Sequence, residues 1–496
     1  MMIPHPLSIT VLSPLVAAIV LMLVPRQRFL AIRLVSALGA APTLVTALYL
    51  YLNYDRAQGG MQFAERFPWL ESMGINYSLA VDGISIPLVM LTAVVIFTGV
   101  FASWTVTNRP KEFYVLLLLL VSGVFGVFVS TNLFFFFLFY ELAVLPMYLL
   151  IGIWGTGPKE YSAMKLTLYL LVGSAFMLVG MLGLYFVSGY RTFDLEKLIG
   201  ATYAPNLQKT LFFLFYIGFG ILAGIFPLHT WSPDGHASAP TAVSMLHAGV
   251  LMKLGAYGVL RVGIGILPEG LKFWAPLVGI IAVINIVYGA YCAMGQRDLK
   301  YVIAYSSVSH MGVVMLGCAA FTTIALNGAV MQMVSHGIMT ALFFALVGLV
   351  YEKTHTRNIM AMGGLARRMP GIALCFTIGG LASFGLPGTS GFVAELMVFL
   401  GTFRAHPEKL LGQVPLFMIL AVGAAIAIVI TATYVLRLLQ MVFHGPLDES
   451  HFGELKDART TEWVAITVNS ALLIVLGMMP RLLTDLIEVS VKQFIR

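Results

Sequence analysis

Long apolar runs alternate with short polar connections along almost the whole chain. A helix needs about 20 apolar residues to cross a bilayer, so the runs predict about 14 transmembrane helices, here called spans 1 to 14. Their predicted ranges are 8–24, 30–52, 81–104, 112–129, 132–154, 160–188, 207–227, 238–262, 272–295, 299–320, 323–351, 370–403, 413–443 and 462–485. The predicted fold class is therefore an all-α polytopic membrane protein.

Two spans are predicted to be interrupted. Span 7 breaks at Pro227, and span 12 breaks at Pro387 and Gly388. The breaks lie five spans apart, and blocks with an odd number of helices face opposite ways in a membrane. We therefore predict two inverted five-helix repeats, each with a broken helix. The predicted units are spans 1–3 in 1–110, the first repeat in 111–264, the second repeat in 265–445, and a loop with span 14 in 446–496.

Composition agrees with this pattern. The chain of 496 residues is 59% hydrophobic and 10% charged, with a mean hydropathy of +0.92 and a net charge of +7. Most Lys and Arg residues lie in short connections, which topology explains better than nucleic-acid binding does. The first run, Ser8–Val24, has no basic region before it and no small-residue cleavage site after it. We expect a retained first helix and not a signal peptide.

The cations are distributed unequally between the two sets of connections. Connections after odd-numbered spans carry Arg26, Arg28, Arg109, Lys111, Lys159, Arg297, Lys300, Lys353, Arg357, Arg367, Arg368, Lys456 and Arg459. Those after even-numbered spans carry Arg56, Arg66, Arg191, Lys197, Lys209, Lys272, Arg404 and Lys409. The positive-inside rule then predicts that the N-terminus lies outside.

Cysteine usage argues against redox chemistry in this chain. Cys292, Cys318 and Cys375 all fall inside apolar runs, too few for a four-cysteine cluster and without metal-ligand spacing. We expect no metal site here, and any electron transfer would occur in another chain.

Ionisable residues inside the spans are the first candidates for function. Glu141 lies in FFFFLFYELAVLPMYLLIGIWG and Lys253 in VLMKLGAYG, each flanked by apolar residues. A buried charge costs several kcal/mol unless it is paired or neutral, so we expect both residues to carry protons. A hydrogen-bonded structural Glu is the alternative for Glu141. Lys165 begins only about a turn inside span 6, and extension of its side chain to the inner surface is the alternative there.

Two histidines lie near the middle of neighbouring spans, His310 in AYSSVSHMG and His336 in QMVSHGIMT. Histidine titrates near neutral pH and can pass a proton through either ring nitrogen. For a single histidine a satisfied core residue is the simpler interpretation, but two together favour a proton path. Glu395, just past the second break in GFVAEL, would end that path.

A polar cluster follows the first break and contains His229, Asp234 and His236, with His247 in the next span. A broken membrane helix frees backbone groups that protein or a water-filled cavity must satisfy. The break and the ionisable residues together predict one half of an ion path in 211–261. We expect His229 and His236 at its inner mouth, where they either cap loop backbone or gate the path.

Six motifs occur in order: AVDGISIPLVML, FYELAVLPMYLLIGIWG, PLHTWSPDGHASAPTA, GVLMKLGAYGVLR, LKYVIAYSSVSHMG and GLPGTSGFVAEL. With them the chain resembles the antiporter-like proton-channel subunits of respiratory complex I, most closely the subunit M family of bacterial NADH-quinone oxidoreductase (chain 4 of the mitochondrial enzyme). The resemblance covers nearly the whole sequence. The sequence ends soon after span 14, without the extra span and lateral helix of the subunit L family, which favours subunit M.

The resemblance implies a membrane-arm subunit that pumps protons when quinone is reduced elsewhere in the complex. It implies no cofactor in this chain, with flavin, iron–sulfur clusters and quinone in partner subunits. The other expected partners are neighbouring membrane-arm subunits, lipid and protons, without nucleic acid. The expected location is the bacterial inner (cytoplasmic) membrane.

Residue by residue, Glu141 matches the glutamate in helix 5 of the family, and Lys253 matches its helix-8 lysine. His310 and His336 match its connecting histidines, and Glu395 matches its exit residue in helix 12. The resemblance implies that these residues form a chain along the middle of the membrane, in which Glu141 and Lys253 stabilise each other's charged forms.

One departure from the family concerns the first broken helix. The family normally has a lysine five residues before the position of Pro227 and a proline two residues after that lysine. Here these positions hold Leu222 and Gly224. His247 lies about a turn and a half before Lys253, at a position that is usually apolar in the family. Either Lys253, aided by His247, takes over as the partner of Glu141, or the first half-channel conducts poorly and protons enter elsewhere.

Other functions stay open at this point. Subunits of multi-subunit cation/proton antiporters and of membrane-bound hydrogenases share these motifs. A self-sufficient secondary carrier would be active as a single chain. A non-pumping paralogue in the membrane arm is the interpretation that the missing lysine favours. The transported ion, proton or sodium, and the electron donor and quinone type do not follow from the sequence.

Overall fold

The structure is a computed structural model that describes residues 3–405, 409–410 and 414–495. Its helices are α1 (Pro6–Leu23), α2 (Phe29–Asn53), α3 (Ser85–Ala102), α4 (Pro110–Val129), α5 (Leu133–Trp154), α6 (Lys159–Val187), α7 (Leu195–Ile199), α8 (Pro205–Ala223), α9 (Trp231–Ser238), α10 (Thr241–Ile264), α11 (Pro268–Gly295), α12 (Leu299–Ala320), α13 (Thr323–Thr354), α14 (Pro370–Ser383), α15 (Ser390–Phe403), α16 (Leu416–Phe443), α17 (Glu449–Phe452), α18 (Thr460–Met478) and α19 (Arg481–Phe494). The strands are β1 (Gln62–Leu70), β2 (Ile75–Val81), β3 (Lys409–Leu410) and β4 (Val414–Pro415).

The helices confirm an all-α polytopic membrane protein. Within the described residues, 13 helices are long and apolar enough to cross a membrane, and the shorter apolar helices α14 and α15 occupy predicted span 12. α10, α12 and α13 are almost wholly buried, whereas only 28% and 33% of the residues in the most apolar stretches of α2 and α16 are buried. The three buried helices therefore form the centre of the bundle, and they carry most of the candidate site.

Helix breaks lie at both predicted places. α8 ends at Ala223 with Gly224 in the left-handed region (φ +73°), and the chain becomes helical again at Trp231. The second break separates α14 from α15, with positive φ at Gly385 and Gly388. Glycine tolerates this backbone conformation because it has no Cβ. The correspondence of the two five-helix blocks stays a prediction.

Asn285 of α11 supplies hydrogen bonds that the first break removes. Its Oδ1 accepts from the Phe226 backbone N–H at 2.7 Å, and its Nδ2 donates to the carbonyls of Gly224 (3.3 Å) and Val308 (2.8 Å). Irregular backbone inside a membrane protein persists only where such partners exist. One buried amide thus holds α8, α11 and α12 together at the break.

Two features differ from the predicted spans. The polar connection between spans 2 and 3 contains an antiparallel hairpin of β1 and β2, paired from Gln62↔Val81 to Leu70↔Ile75. Predicted span 14 ends early, at Met478, and Pro480 separates it from α19. One side of α19, including Leu486 and Ile487, is buried, so it packs on the bundle and does not lengthen the span.

Candidate functional site

The candidate site begins at Lys253, which is fully buried on α10. Wider π-helical turns lie on both sides of it, at His247–Leu251 and Val259–Ile264. Such turns interrupt the regular α-helical hydrogen bonds and are frequent at functional sites. The Lys253 ammonium donates to the Ala248 carbonyl in the first π turn. The same ammonium lies 2.7 Å from Nδ1 of His336 on α13.

The two mid-membrane histidines are neighbours, as their positions in adjacent spans predicted. The ring centroids of His310 and His336 are 5.2 Å apart. His310 Nδ1 lies 3.4 Å from Oε1 of Glu395 on α15, and both side chains are less than a tenth exposed. Lys253, His336, His310 and Glu395 therefore form a buried sequence of ionisable groups across α10, α13, α12 and α15.

His310 has two competing partners at one atom. Gln332 Nε2 lies 3.2 Å from His310 Nδ1, the same nitrogen that faces Glu395. A bare Nδ1 accepts from the amide of Gln332, whereas a protonated Nδ1 donates to the carboxylate of Glu395. The two arrangements exclude each other, so one proton on His310 changes which neighbour it binds.

Glu395 and His310 also line a small cavity of about 10 Å³ together with Ser383 and Thr431. This volume is close to what one water molecule needs. The Ser383 hydroxyl lies 3.3 Å from His310 Nε2. Both ring nitrogens of His310 therefore face polar groups.

His236 and His247 form a second buried histidine pair. Their ring centroids are 4.2 Å apart in an edge-to-face arrangement, and Trp231 stacks on His247 at 5.3 Å. His236 is completely buried, so its side chain does not lie at an exposed surface, and its place at the inner mouth of the path stays a prediction. His229 is buried as well, with its ring against Phe226 and Tyr288.

Glu141 lies apart from this centre. It is half-buried on α5, and its carboxyl group has a hydrogen bond with Ser174 on α6. The neighbouring side chains on its own helix, Leu138 and Leu145, are 44% and 59% exposed. The structure thus places Glu141 beside the lateral apolar surface, and among the described contacts none joins it to Lys253.

Lys165 and Leu222 complete the sequence candidates. Lys165 Nζ lies 2.7 Å from Oδ2 of Asp234, and Tyr301 donates to the other carboxylate oxygen at 3.0 Å. Lys165 therefore pairs with the polar cluster after the first break and does not extend freely to the surface. Leu222, where the family places a lysine, is fully buried on α8.

Sequence analysis missed one buried ion pair. Arg261 Nη2 lies 2.7 Å from Asp82 Oδ1, and both side chains are 4% exposed. Arg261 also donates to the Tyr257 hydroxyl at 3.2 Å, and Tyr257 donates to the Phe128 carbonyl at 3.1 Å. The sequence signal was an acidic residue in one ordered motif, AVDGISIPLVML, and an arginine ending another, GVLMKLGAYGVLR.

Known proteins resemble this chain over most of its length. The transmembrane family described as NADH:quinone oxidoreductase/Mrp antiporter matches residues 130–438. NAD(P)H-quinone oxidoreductase chain 4 1 of Synechococcus sp. (strain JA-3-3Ab) is 41% identical over 490 residues, which are 98% of this chain and 91% of that protein.

Solved structures share the fold as well. A chain of respiratory complex I from Thermus thermophilus with bound NADH has a TM-score of 0.87 at 30% identity, covering 98% of this chain and 99% of that one. A chain of the Mrp complex from Dietzia sp. DQ12-45-1b has a TM-score of 0.86 at 20% identity, covering 99% and 98%. At that identity the second comparison supports the fold alone.

Proposed function

The chain belongs to the NADH:quinone oxidoreductase/Mrp antiporter transmembrane family, and from this premise we propose how its buried residues move protons. It is a membrane-arm subunit, like subunit M or chain 4, of a proton-translocating quinone oxidoreductase of the complex I type. The redox reaction takes place in other subunits, and this chain contributes the proton path.

One observation carries the proposal: Lys253, His336, His310 and Glu395 follow one another through the buried centre. Ionisable groups at such depth are costly unless they are paired or functional. Here each group has the next as its neighbour, so a proton can pass along the series without a charge leaving the protein interior.

The chemistry of transfer follows from the contacts. Lys253 Nζ donates toward His336 Nδ1 across 2.7 Å, so a proton leaving the ammonium has an acceptor within hydrogen-bonding distance. His336 then lies beside His310, and a proton at His310 Nδ1 faces the Glu395 carboxylate. The exchange of Gln332 for Glu395 as the partner of His310 supplies the two arrangements that such a coupling needs.

Glu141 has a role outside the central series in the proposed function. Its half-buried carboxyl borders exposed apolar side chains, so lipid alone would leave it without a polar partner beyond Ser174. We assign it to a contact with a neighbouring membrane-arm subunit. Through this contact the charge state of that subunit would influence Glu141. Lys165 and Asp234 would modulate the path from the side of the first break.

The remaining partners and cofactors follow from this role. Flavin, iron–sulfur clusters and quinone belong to partner subunits. The transported ion is the proton, the surrounding medium is lipid, and the proposed location is the bacterial inner membrane.

A non-pumping paralogue is the second candidate, and Leu222 is the observation that favours it. The test uses the assembled complex in liposomes with a quinone acceptor, and it measures protons translocated per electron. Lys253→Ala and Glu141→Gln should each lower this ratio, because each removes one titratable group. An exposed substitution, Lys456→Ala, serves as the control. An unchanged ratio in both variants, in fully assembled complexes, would establish the non-pumping paralogue.

A further inference from the structure

Buried hydroxyl groups lie beside the second ring nitrogen of His310, Nε2. The Ser383 hydroxyl, at the end of α14, is 3.3 Å from this nitrogen. Tyr434 of α16 donates to the Ser306 hydroxyl of α12 at 2.8 Å and has further hydrogen bonds with the hydroxyls of Ser383 and Thr431. All four of these side chains are at most 6% exposed. We call Ser383, Tyr434 and Ser306 the hydroxyl chain.

The hydrogen bonds of the hydroxyl chain have a direction. Tyr434 gives its hydrogen to Ser306, so the Tyr434 oxygen is left as an acceptor. Ser383 can donate to that oxygen, and its own lone pairs then face Nε2 of His310. An acceptor at Nε2 favours the form of the ring in which Nε2 carries a hydrogen. Donation therefore runs from Nε2 to Ser383, and from there to Tyr434 and Ser306.

A hydrogen fixed on Nε2 determines the role of the other ring nitrogen. In a neutral imidazole one nitrogen carries a hydrogen and the other is bare, so Nδ1 of His310 is the bare one. This nitrogen lies 3.2 Å from Gln332 Nε2 and 3.4 Å from Glu395 Oε1. It can therefore accept from the amide, take up a proton and release that proton to the carboxylate.

The opposite neutral form of His310 is unproductive. If Ser383 donated to Nε2, the ring would hold its hydrogen on Nδ1, and no bare nitrogen would face Glu395 or Gln332. A further proton could not be taken up at Nδ1. The direction of the hydroxyl chain therefore decides whether His310 is ready for the next proton.

We propose that Tyr434 is a positioning residue of the proton path, which acts through Ser383 to keep Nδ1 of His310 as the nitrogen that exchanges protons. This inference rests on the proposed function. In the step itself, a His310 ring protonated on both nitrogens loses the Nδ1 proton to the Glu395 carboxylate. The imidazole becomes neutral, the carboxylic acid forms, and the hydrogen bond from Nε2 to Ser383 is kept. Tyr434 neither gains nor loses a proton.

The Tyr434 hydroxyl can be removed without altering the groups that exchange protons. The titratable groups that face His310 are Glu395 from α15 and His336 from α13, and α11 contributes an apolar side chain to the cavity beside them. From α16, Thr431 lines that cavity, one helical turn before Tyr434. Loss of the Tyr434 hydroxyl therefore changes the hydrogen bond at Nε2 and leaves the charged neighbours of His310 in place.

The first experiment measures coupled quinone reduction against pH for Tyr434→Phe, in the assembled complex in liposomes. The variant leaves the Ser383 hydrogen without its acceptor, so Ser383 can donate to Nε2 and favour the unproductive form of His310. One hydrogen bond of this kind changes the ratio of the two forms roughly 2- to 10-fold. The alkaline limb of the profile should therefore move to lower pH by roughly 0.3 to 1 unit. At lower pH, where His310 is protonated on both nitrogens, the rate should recover.

The second experiment acts on the other end of the hydroxyl chain. Ser306→Ala removes the acceptor of the Tyr434 hydrogen, which then turns toward Ser383, so the profile should shift as in Tyr434→Phe. Ser306→Thr keeps a hydroxyl and should keep the wild-type profile. Tyr216→Phe is the matched control, because it removes the hydroxyl of another buried tyrosine that has no hydrogen-bonding partner among the described residues. Assembly is measured in parallel, and Ser306→Ala decides the question if Tyr434→Phe fails to assemble.

The outcomes separate the two proposals. If Lys253→Ala lowers the number of protons per electron while assembled Tyr434→Phe keeps the wild-type pH profile, the positioning role is overturned and the central proton path stays in place. A loss in Tyr434→Phe that is as large as that in Lys253→Ala at every pH also overturns the positioning role, because the tyrosine would then carry protons itself. A full ratio in both Lys253→Ala and Glu141→Gln overturns the proposed function, and the positioning role with it.

Discussion

The buried charged residues described above lie beside other charged or polar groups. The Asp82–Arg261 pair shows this outside the proton path, because Asp82 also accepts hydrogen bonds from the backbone N–H groups of Ile84 and Ser85 at the start of α3. One carboxylate therefore caps a helix and neutralises an arginine two helical turns beyond Lys253. Removing one member of such a pair leaves the other charge buried.

We expect Arg261→Met to lower the stability of the complex by about 3–5 kcal/mol, the typical result of leaving one buried charge unpaired. The double variant with Asp82→Asn should recover most of that loss, since an asparagine keeps the acceptor for Ile84 and Ser85. Thermal unfolding of the purified complex in detergent measures both. Equal midpoints for Arg261→Met and the double variant would contradict the pairing argument.

The residues of the central series could be predicted from sequence because an ionisable residue within an apolar run stands out. Asp82 and Arg261 could not, because each lies near the end of its span, where charged residues are ordinary. The burial of His236 could not be predicted either. The apolar run ends at Pro227, and a window of hydrophobicity cannot show that the polar helix α9 is buried inside the protein.

Much of the site is formed where helices depart from regular α-helical geometry. The π turns on either side of Lys253 widen α10 where its ammonium needs a carbonyl, and the break after α8 brings Trp231 and His236 next to His247. These irregularities require partners from neighbouring elements. Asn285 is one such partner, and its side chain makes three hydrogen bonds at the first break.

Asn285→Ala should destabilise the first break, because it leaves one backbone N–H and two carbonyls without their partner, at about 1–3 kcal/mol for each buried group. We expect a lower thermal midpoint and faster hydrogen exchange at the Phe226 amide. Asn53→Ala is the control, since its amide donates to Tyr49 at an exposed helix end. Unchanged exchange at Phe226 would show that other groups hold the break.

For helices and strands, the sequence predicts apolar helices well and amphipathic elements poorly. The breaks could be found because Pro and Gly interrupt long apolar runs. The β1–β2 hairpin could not, because its strands contain Pro68 and many polar residues and lack a clean alternation. α19 was merged with span 14 because its apolar residues face one side only, which a window average does not resolve.

The whole molecule has a buried centre and an unevenly covered outside. α10, α12 and α13 lie in the middle and carry Lys253, His310 and His336, while α1, α2, α6 and α16 present exposed apolar side chains. In a membrane protein lipid can cover such surfaces, but the Glu141 carboxyl beside them needs a polar partner. In the proposed function a neighbouring subunit supplies this partner, so the isolated subunit is incomplete where Glu141 lies.

This incompleteness leads to a prediction for the isolated chain. Purified alone in liposomes, it should show no proton transport under an imposed pH gradient or membrane potential, because the step that drives Lys253 and His310 between their partners is a redox reaction in other subunits. The assembled complex in matched liposomes, supplied with donor and quinone, provides the positive control. Contact of Glu141 with a neighbouring subunit should also be required, so Glu141→Gln should lower the number of protons translocated per electron in the complex. Gradient-driven transport by the single chain at a rate comparable to that of the complex would instead identify a self-sufficient carrier.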